Sequence, residues 1–355
     1  MGLPLRVIDT GVREGRANIA FDAALVELHA EGAIPDTLRF LRFSPTALVG
    51  RHQAIATELR LDYCRTHGVG LARRITGGGA IYFDEGQLGW ELVYSRRRLP
   101  AADLAAHTRR ICTAVARGLS QAFGIEASFR PRNDIEVAGR KLCGTGGFFD
   151  GDTVFYQGTV LIDVAPERVM ACLNVPRAKL EKRQLDRPEH RIVTLYELLG
   201  RAPAAGEVEQ AVVDGLAGDL VLEPWRAGAG PLEEARAQAI YAQEIGTDAF
   251  VMGGDVPAGS DVGAASLTGA GGTLGAHVRL EGPAGARHIR EVLLTGDFFV
   301  TPPRLVLDLE AALRGVEADR AGAAVDAFFT NTAYDLLSMS PADFRTVVEN
   351  AIASL

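Results

Sequence analysis

Arg73-Arg74-Ile75-Thr76-Gly77-Gly78-Gly79-Ala80 lies between two short strand patterns, 69–72 and 80–83. Three consecutive glycines let a backbone approach a ligand closely and turn several N–H groups toward anionic oxygens. The two arginines before them can neutralise a carboxylate or phosphate, and the planar guanidinium suits bidentate contact. Taken alone, the stretch reads equally well as a flexible turn. It lacks the Gly-Lys-Ser/Thr ending of a P-loop. It is not a GxGxxG fingerprint either, which disfavours hydride transfer.

Outward from this loop the chain mixes helices and strands without strict βαβ alternation. Asn18 caps a helix with one apolar face, and 38–43 and 47–49 read as strands. A helix over 57–67 leads to the strand at 69–72. A strand at 90–94 follows, then a long helix over 102–123 that ends at Gly124. Residues 133–148 form a hairpin turning at Ala138-Gly139, with Lys141 on the return strand. A further strand covers 155–164, and Pro166 opens a helix ending near Leu173. The pattern predicts an α+β fold with a mixed sheet. The character changes near 225, so the expected division is a domain over 1–224 and a smaller α+β domain over 225–355. In the latter, 231–243 reads as a helix, and the eight glycines of 253–275 read as a flexible loop. Strands at 276–281 and 289–295 and helices at 304–313, 323–329 and 341–352 complete it.

The bulk composition narrows the function. The chain of 355 residues is 47% hydrophobic and 23% charged, as a globular protein is. Its net charge of −8 argues against general binding to nucleic acid, which needs surplus Lys and Arg. No signal peptide or membrane span is expected, and Cys64, Cys112, Cys143 and Cys172 lack metal-ligand spacing; the expectation is a cytoplasmic protein. Only three lysines occur, Lys141, Lys179 and Lys182, against 37 basic residues in all. Strand alternation places Lys141 and Cys143 on one face and Leu142 on the other.

Arg73-Arg74-x-x-Gly77-Gly78-Gly79-Ala80, Asn133-Asp134-Ile135 and Arg140-Lys141-x-x-Gly144 stand in the order and spacing seen in lipoate–protein ligases. Val49-Gly50-Arg51-His52-Gln53 and Tyr156-Gln157-Gly158-Thr159-Val160-Leu161 extend the likeness, which runs from about Asn18 to Leu199. The sequence thus resembles the lipoyl/biotinyl ligase superfamily. That resemblance implies ATP-dependent activation of lipoate to lipoyl-AMP, with Mg²⁺ on the phosphates, then transfer to a carrier lysine. It implies Lys141 as the catalytic cation. It places Arg73, Arg74, Gly77, Gly78, Gly79, Ala80, Ile81, Tyr82, Asn133, Asp134, Gly144, Gly158 and Thr159 on nucleotide and acyl chain. Asp134 is also a candidate Mg²⁺ ligand, and Pro176–Arg191, with Lys179 and Lys182, resembles the family's mobile loop. Phe83, Gln157 and Cys143 depart from the family's usual His, His and Ser, which puts the acyl substrate in question.

The C-terminal segments around Val278–Glu281, Ile289–Val292 and Thr295–Phe299 resemble the small subunit of split lipoate ligases, here fused. The main rival is an octanoyl- or lipoyltransferase that uses no ATP and carries the acyl group as a thioester on Cys143 or Cys172. A non-catalytic lipoate-binding protein and a biotin ligase are further readings. The expected partner is a lipoyl carrier: an E2 lipoyl domain, a glycine-cleavage H protein or, favoured by Ile245–Val251, a lipoate-binding protein of a sulfur-oxidation system. Neither nucleic acid nor membrane is expected as a partner.

Overall fold

The computed structural model describes residues 2–174, 192–257, 259–269 and 272–355. The first eleven strands are β1 (Leu3–Arg13), β2 (Thr37–Phe43), β3 (Thr46–Val49), β4 (Gly70–Arg73), β5 (Ile81–Phe83), β6 (Gln87–Ser95), β7 (Ala127–Arg130), β8 (Asp134–Val137), β9 (Arg140–Asp150), β10 (Thr153–Leu161) and β11 (Leu222–Arg226). Eight of them make one sheet in the order β11-β1-β2-β6-β10-β9-β8-β7, and β4-β3-β5 form a second, small sheet. The β11-β1-β2 end of the large sheet is parallel and the rest antiparallel, so it is mixed, as the α+β reading expects.

The helices of this part are α1 (Gly15–Ala30), α2 (Ile55–Glu58), α3 (Leu61–Thr66), α4 (Leu104–Phe123), α5 (Pro166–Cys172), α6 (Leu195–Leu199), α7 (Ala205–Leu220), α8 (Pro231–Ile240) and α9 (Asp248–Met252). Side chains alternate along the strands, so the large sheet buries both faces. Leu92, Tyr94, Val154 and Tyr156 pack with Ile111, Val115 and Leu119 of α4 and Val212 and Leu216 of α7. Val93 and Phe155 point the other way, to Phe21, Leu25 and Leu28 of α1. Asp103 caps α4 by accepting from Ala106 N, and Gly124, at φ 65°, ends it as expected.

The C-terminal part has its own core. The strands β12 (Val262–Gly269), β13 (Gly272–Glu281) and β14 (His288–Gly296) form an antiparallel sheet. It is covered by α10 (Leu305–Leu313), α11 (Ala321–Asn331) and α12 (Pro341–Ala353), and Val278, Leu294, Phe298, Leu309, Val325 and Phe344 meet beneath them. The short strands β15 (Val300–Thr301) and β16 (Asp335–Leu336) pair beside it. The segment before this unit packs elsewhere: Ala237 and Ile240 join the α1 core, and Ile245 and Phe250 pack near Phe43 and Phe83.

Six strands were not legible in the sequence: β1, β7, β11, β12 and the two-residue β15 and β16. Strand β12 lies inside 253–275, where glycines hide the period, and pairing along its length with β13 overrides the loop signal. Strand β11 sits at the sheet edge, where its Pro224 is tolerated. The single helix read over 57–67 is two, because Leu59 bridges to Leu173 and Arg60 N donates to Cys172 O between them.

Candidate active site

The glycine loop closes a cleft of about 420 Å³ between the small sheet, β9, β10 and α5. That is within the range of about 300–1,000 Å³ found for small-molecule sites. Its lining is part polar, with Arg74, Arg130, Arg132, Asn133, Asp134 and Lys141, and part apolar, with Tyr82, Leu161, Val164, Val169, Met170 and Leu173. Gly272, Asp297, Phe299 and Ser338 of the C-terminal unit complete the wall.

Lys141 Nζ lies 3.0 Å from Asp134 Oδ1, and Arg130 Nη2 lies 2.6 Å from Asp134 Oδ2. Burial works to raise the Asp134 pKa, but the Lys141 and Arg130 cations outweigh it and hold the carboxyl below its usual range. Asn133 Nδ2 donates to Thr145 O, while Thr145 N and Oγ1 both donate to Asn133 O, fixing the entry of the hairpin. A Cβ on Gly144 would sit 2.4 Å from Lys141 Nζ, so only glycine lets the lysine lie back over its own strand.

The structure gathers Arg74, Gly77, Gly78, Gly79, Ala80, Ile81, Tyr82, Asn133, Asp134, Lys141, Gly144, Gly158 and Thr159 around this one cleft. Arg74 is buried, and its Nη2 donates to Gly77 O and Gly79 O, which holds the loop's shape. Its Nη1 has no acceptor among the described residues. Burial lowers the guanidinium to about 10, so it stays charged at neutral pH. Behind it, Arg39 lies buried between Asp22 and Glu91, and burial together with Asp22 pushes Glu91 well up. Gln157 Nε2 donates to Thr76 Oγ1 across the cleft. Phe83 is not in the cleft; it stacks on Phe43 at 4.3 Å.

Arg73 is a correction. Its guanidinium donates to the carbonyls of Gly50, Arg51 and Gln53 on one side and of Phe250, Val251 and Gly253 on the other. Every donor is spent on backbone, so Arg73 ties two loops together and does not reach the cleft. Asp134, expected as a candidate Mg²⁺ ligand, directs its two oxygens to Lys141 and Arg130. No cluster able to hold a metal occurs among the described residues. Lys179 and Lys182 lie outside the described residues.

The thiols also depart from expectation. A bulge in β9 pairs Ile135 with Cys143 but Glu136 with Lys141, leaving Leu142 as the extra residue. Cys143 therefore joins Leu142 in the core under α4 instead of sharing Lys141's face. Burial raises its pKa strongly. Cys172 ends α5, whose Val169 and Met170 line the cleft, as do the following Leu173 and Asn174. Its thiol faces Cys64, and burial together with that neighbour raises it to about 12.

Residues 14–217 match the family model for the lipoyl protein ligase A/B catalytic domain. The chain belongs to this family. Among curated relatives, octanoyltransferase LipM of Symbiobacterium thermophilum is 28% identical over 270 residues, which is 70% of this chain and 97% of the relative. Lipoate-protein ligase LplJ of Bacillus subtilis is also 28% identical, but over 195 residues, 55% of this chain and 57% of the relative. Other relatives at 24–29% identity carry the octanoyltransferase name.

Two solved structures share the fold. The bi-partite lipoate protein ligase of Thermoplasma acidophilum, described with its E2 lipoyl domain, has TM-score 0.62 at 24% identity, covering 73% of this chain and 99% of that one. P. falciparum LipL1 in complex with lipoate has TM-score 0.76 at 16% identity, covering 99% of each chain.

These relatives correct the expected reaction. The lipoyl/biotinyl superfamily and its mixed-sheet fold hold, but the relatives matched along nearly their whole length are transferases. A transferase receives its acyl group already activated, so ATP, Mg²⁺ and an acyl-adenylate are no longer called for. No helix among the described residues is long and apolar enough to cross a membrane.

Proposed function

We propose that the protein is an acyltransferase that moves an octanoyl or lipoyl group from a thioester donor to the ε-amine of a lysine on a lipoyl carrier domain. The observation carrying this reading is one cleft lined both by the Lys141 cation and by apolar side chains of the helix that stops at Cys172. The end-to-end likeness to an octanoyltransferase supports it.

In the proposed reaction Cys172, as thiolate, attacks the donor's thioester carbonyl, the donor C–S bond breaks, and the donor thiolate takes up a proton. The carrier's lysine amine then attacks the new thioester, the bond to Cys172 breaks, and the amine proton returns to the sulfur. Lys141, aided by the N–H groups of Gly77–Ala80, stabilises the carbonyl oxygen as it gains negative charge. Arg74 braces that loop. In the resting arrangement the Cys172 thiol turns toward Cys64, so this route requires the end of α5 to rotate it into the cleft.

That buried, raised thiol favours one second reading, direct attack of the carrier lysine on the donor thioester without an acyl-enzyme. As part of the proposal, 1–224 is the catalytic unit and 225–355 an accessory unit that completes the cleft. An E2 lipoyl domain is the first acceptor to try, because the Thermoplasma acidophilum neighbour is described with one. The H protein and the sulfur-oxidation carrier are the other arms. Octanoyl transfer by Cys172→Ala decides between the routes: loss supports the thioester, and unchanged transfer supports direct attack.

A further inference from the structure

A buried hydroxyl network lies on the core side of the strand that carries Lys141, and none of its members takes part in the proposed reaction. We propose that its central residue, Thr145, held by the Tyr156 phenol, is a positioning residue that fixes the Lys141 ammonium in the cleft through Asn133 and Asp134. The inference rests on the acyltransferase reading only for what Lys141 does there.

Directly opposite Thr145 of β9 stands Gly158 of β10, and the phenol of the diagonal neighbour Tyr156 reaches the threonine. Tyr156 is fully buried in the core under α4, and Thr145 is buried beside it. Thr145 Oγ1 donates to Asn133 O at 2.8 Å, which spends its one hydrogen. The phenol, 2.6 Å away, therefore donates to Thr145 Oγ1. Burial, together with the neighbouring Cys112, raises the Tyr156 pKa well above its usual value, so that O–H is present at any physiological pH. Cys112 Sγ of α4 closes the group, 3.3 Å from Thr145 Oγ1 and 3.5 Å from Tyr156 OH.

From here the order runs outward to the cleft. Thr145 N and Oγ1 both donate to Asn133 O, and Asn133 Nδ2 donates back to Thr145 O. Asn133 precedes β8, so the threonine side chain adds a bond where the regular ladder stops. The next residue, Asp134, pairs with Gly144 and carries the oxygen that holds Lys141 Nζ at 3.0 Å. A buried network with its donors matched to acceptors selects one arrangement of the groups it carries.

The test uses the full-length chain, with Lys141 labelled by acetic anhydride against an added reference peptide and octanoyl transfer measured in parallel. Lys141 is one-third exposed, within reach of the reagent. Thr145→Val keeps the side-chain shape and removes the hydroxyl. It should speed labelling of Lys141 about threefold or more, the scale of weakening one hydrogen bond. It should also lower kcat for transfer by about ten- to a hundredfold with little change in KM, the scale of misplacing a catalytic group by up to about 1 Å. In a chain already carrying Lys141→Ala it should lower transfer no further, and Thr145→Ser should restore both readouts. Melting curves check folding, and Tyr156→Phe, which keeps the ring, carries the test if the Val variant fails to fold. An unchanged Lys141 labelling rate in a folded variant overturns the inference, as does a loss of transfer that adds to that of Lys141→Ala. Faster labelling alongside a wild-type chain inert in octanoyl transfer supports the positioning role and sinks the transferase reading.

Discussion

Lys141 gains its place from two neighbours that the motifs already contain: the missing side chain of Gly144 and the Asp134 carboxylate 3.0 Å away. Removing the ammonium removes charge stabilisation that matters as the carbonyl oxygen becomes anionic. Lys141→Ala should therefore lower kcat for acyl transfer by about 10²–10³-fold, the scale of losing one such donor, with a smaller change in KM. A stopped assay at saturating carrier reads this directly.

A second residue, Glu310, acts far from the cleft. Burial raises it to about 7, and its carboxyl accepts from Leu294 N between α10 and β14. Its folded pKa lies above the unfolded value, so the stability it contributes is present below about pH 4.5. That stability is lost as pH rises through about 7. Glu310→Gln keeps the acceptor and removes the ionisation. It should raise the melting temperature at pH 8.5, by up to about 3 kcal/mol in stability, and leave it nearly unchanged at pH 4.5.

At the scale of elements, the loop 76–80 and the segment 296–299 fit backbone to backbone. A Cβ on Gly77 would lie 2.0 Å from Phe298 O, a rigid main-chain atom. Gly77→Ala should force the two apart, cost roughly 1–3 kcal/mol and reduce transfer, while Gly79→Ala, with only Asp297 atoms at 3.9 Å, should be far milder. Comparing melting temperatures of the two variants checks this.

The local signals explain what could be read and what could not. Helices α4 and α5 follow their end signals, Gly124 and Pro166, whereas α1 is capped by Glu14 and carries Asn18, the expected cap, inside it; the hairpin of β8 and β9 follows Ala138-Gly139, both at positive φ. The bulge at Leu142 has no local signature, and one extra residue turns Cys143 from the lysine's face into the core. Arg73 and Arg74 look alike in sequence, yet strand alternation sends one to backbone carbonyls and the other to the cleft. Phe299 was legible only as part of a C-terminal strand segment, because the glycines its ring packs against, Gly78 and Gly146, are distant in the chain.

At the scale of the whole molecule, two cores meet at the cleft. The large sheet with α4 and α7 places Lys141, and the β12–β14 unit supplies Asp297, Phe299 and Ser338 to the opposite wall. The contacts between them include Gly296 N to His52 O and Leu104 N to Asp335 Oδ2. His52 is half-buried there, and its desolvation beside Arg51 and Arg73 drops the pKa to about 3, so it stays neutral through the physiological range. The family and fold were readable from the motif order. The reaction was not, because a lysine that steadies a carbonyl oxygen serves an adenylate and a thioester equally well.

The most direct test gives the purified chain an octanoyl thioester donor and an E2 lipoyl domain, with nucleotide and divalent metal removed by desalting and chelator. The mass of the intact carrier is then followed. One octanoyl should be added to the carrier lysine without ATP, and far more slowly with Lys141→Ala. A carrier that stays unmodified until free acid, ATP and Mg²⁺ are supplied would contradict it.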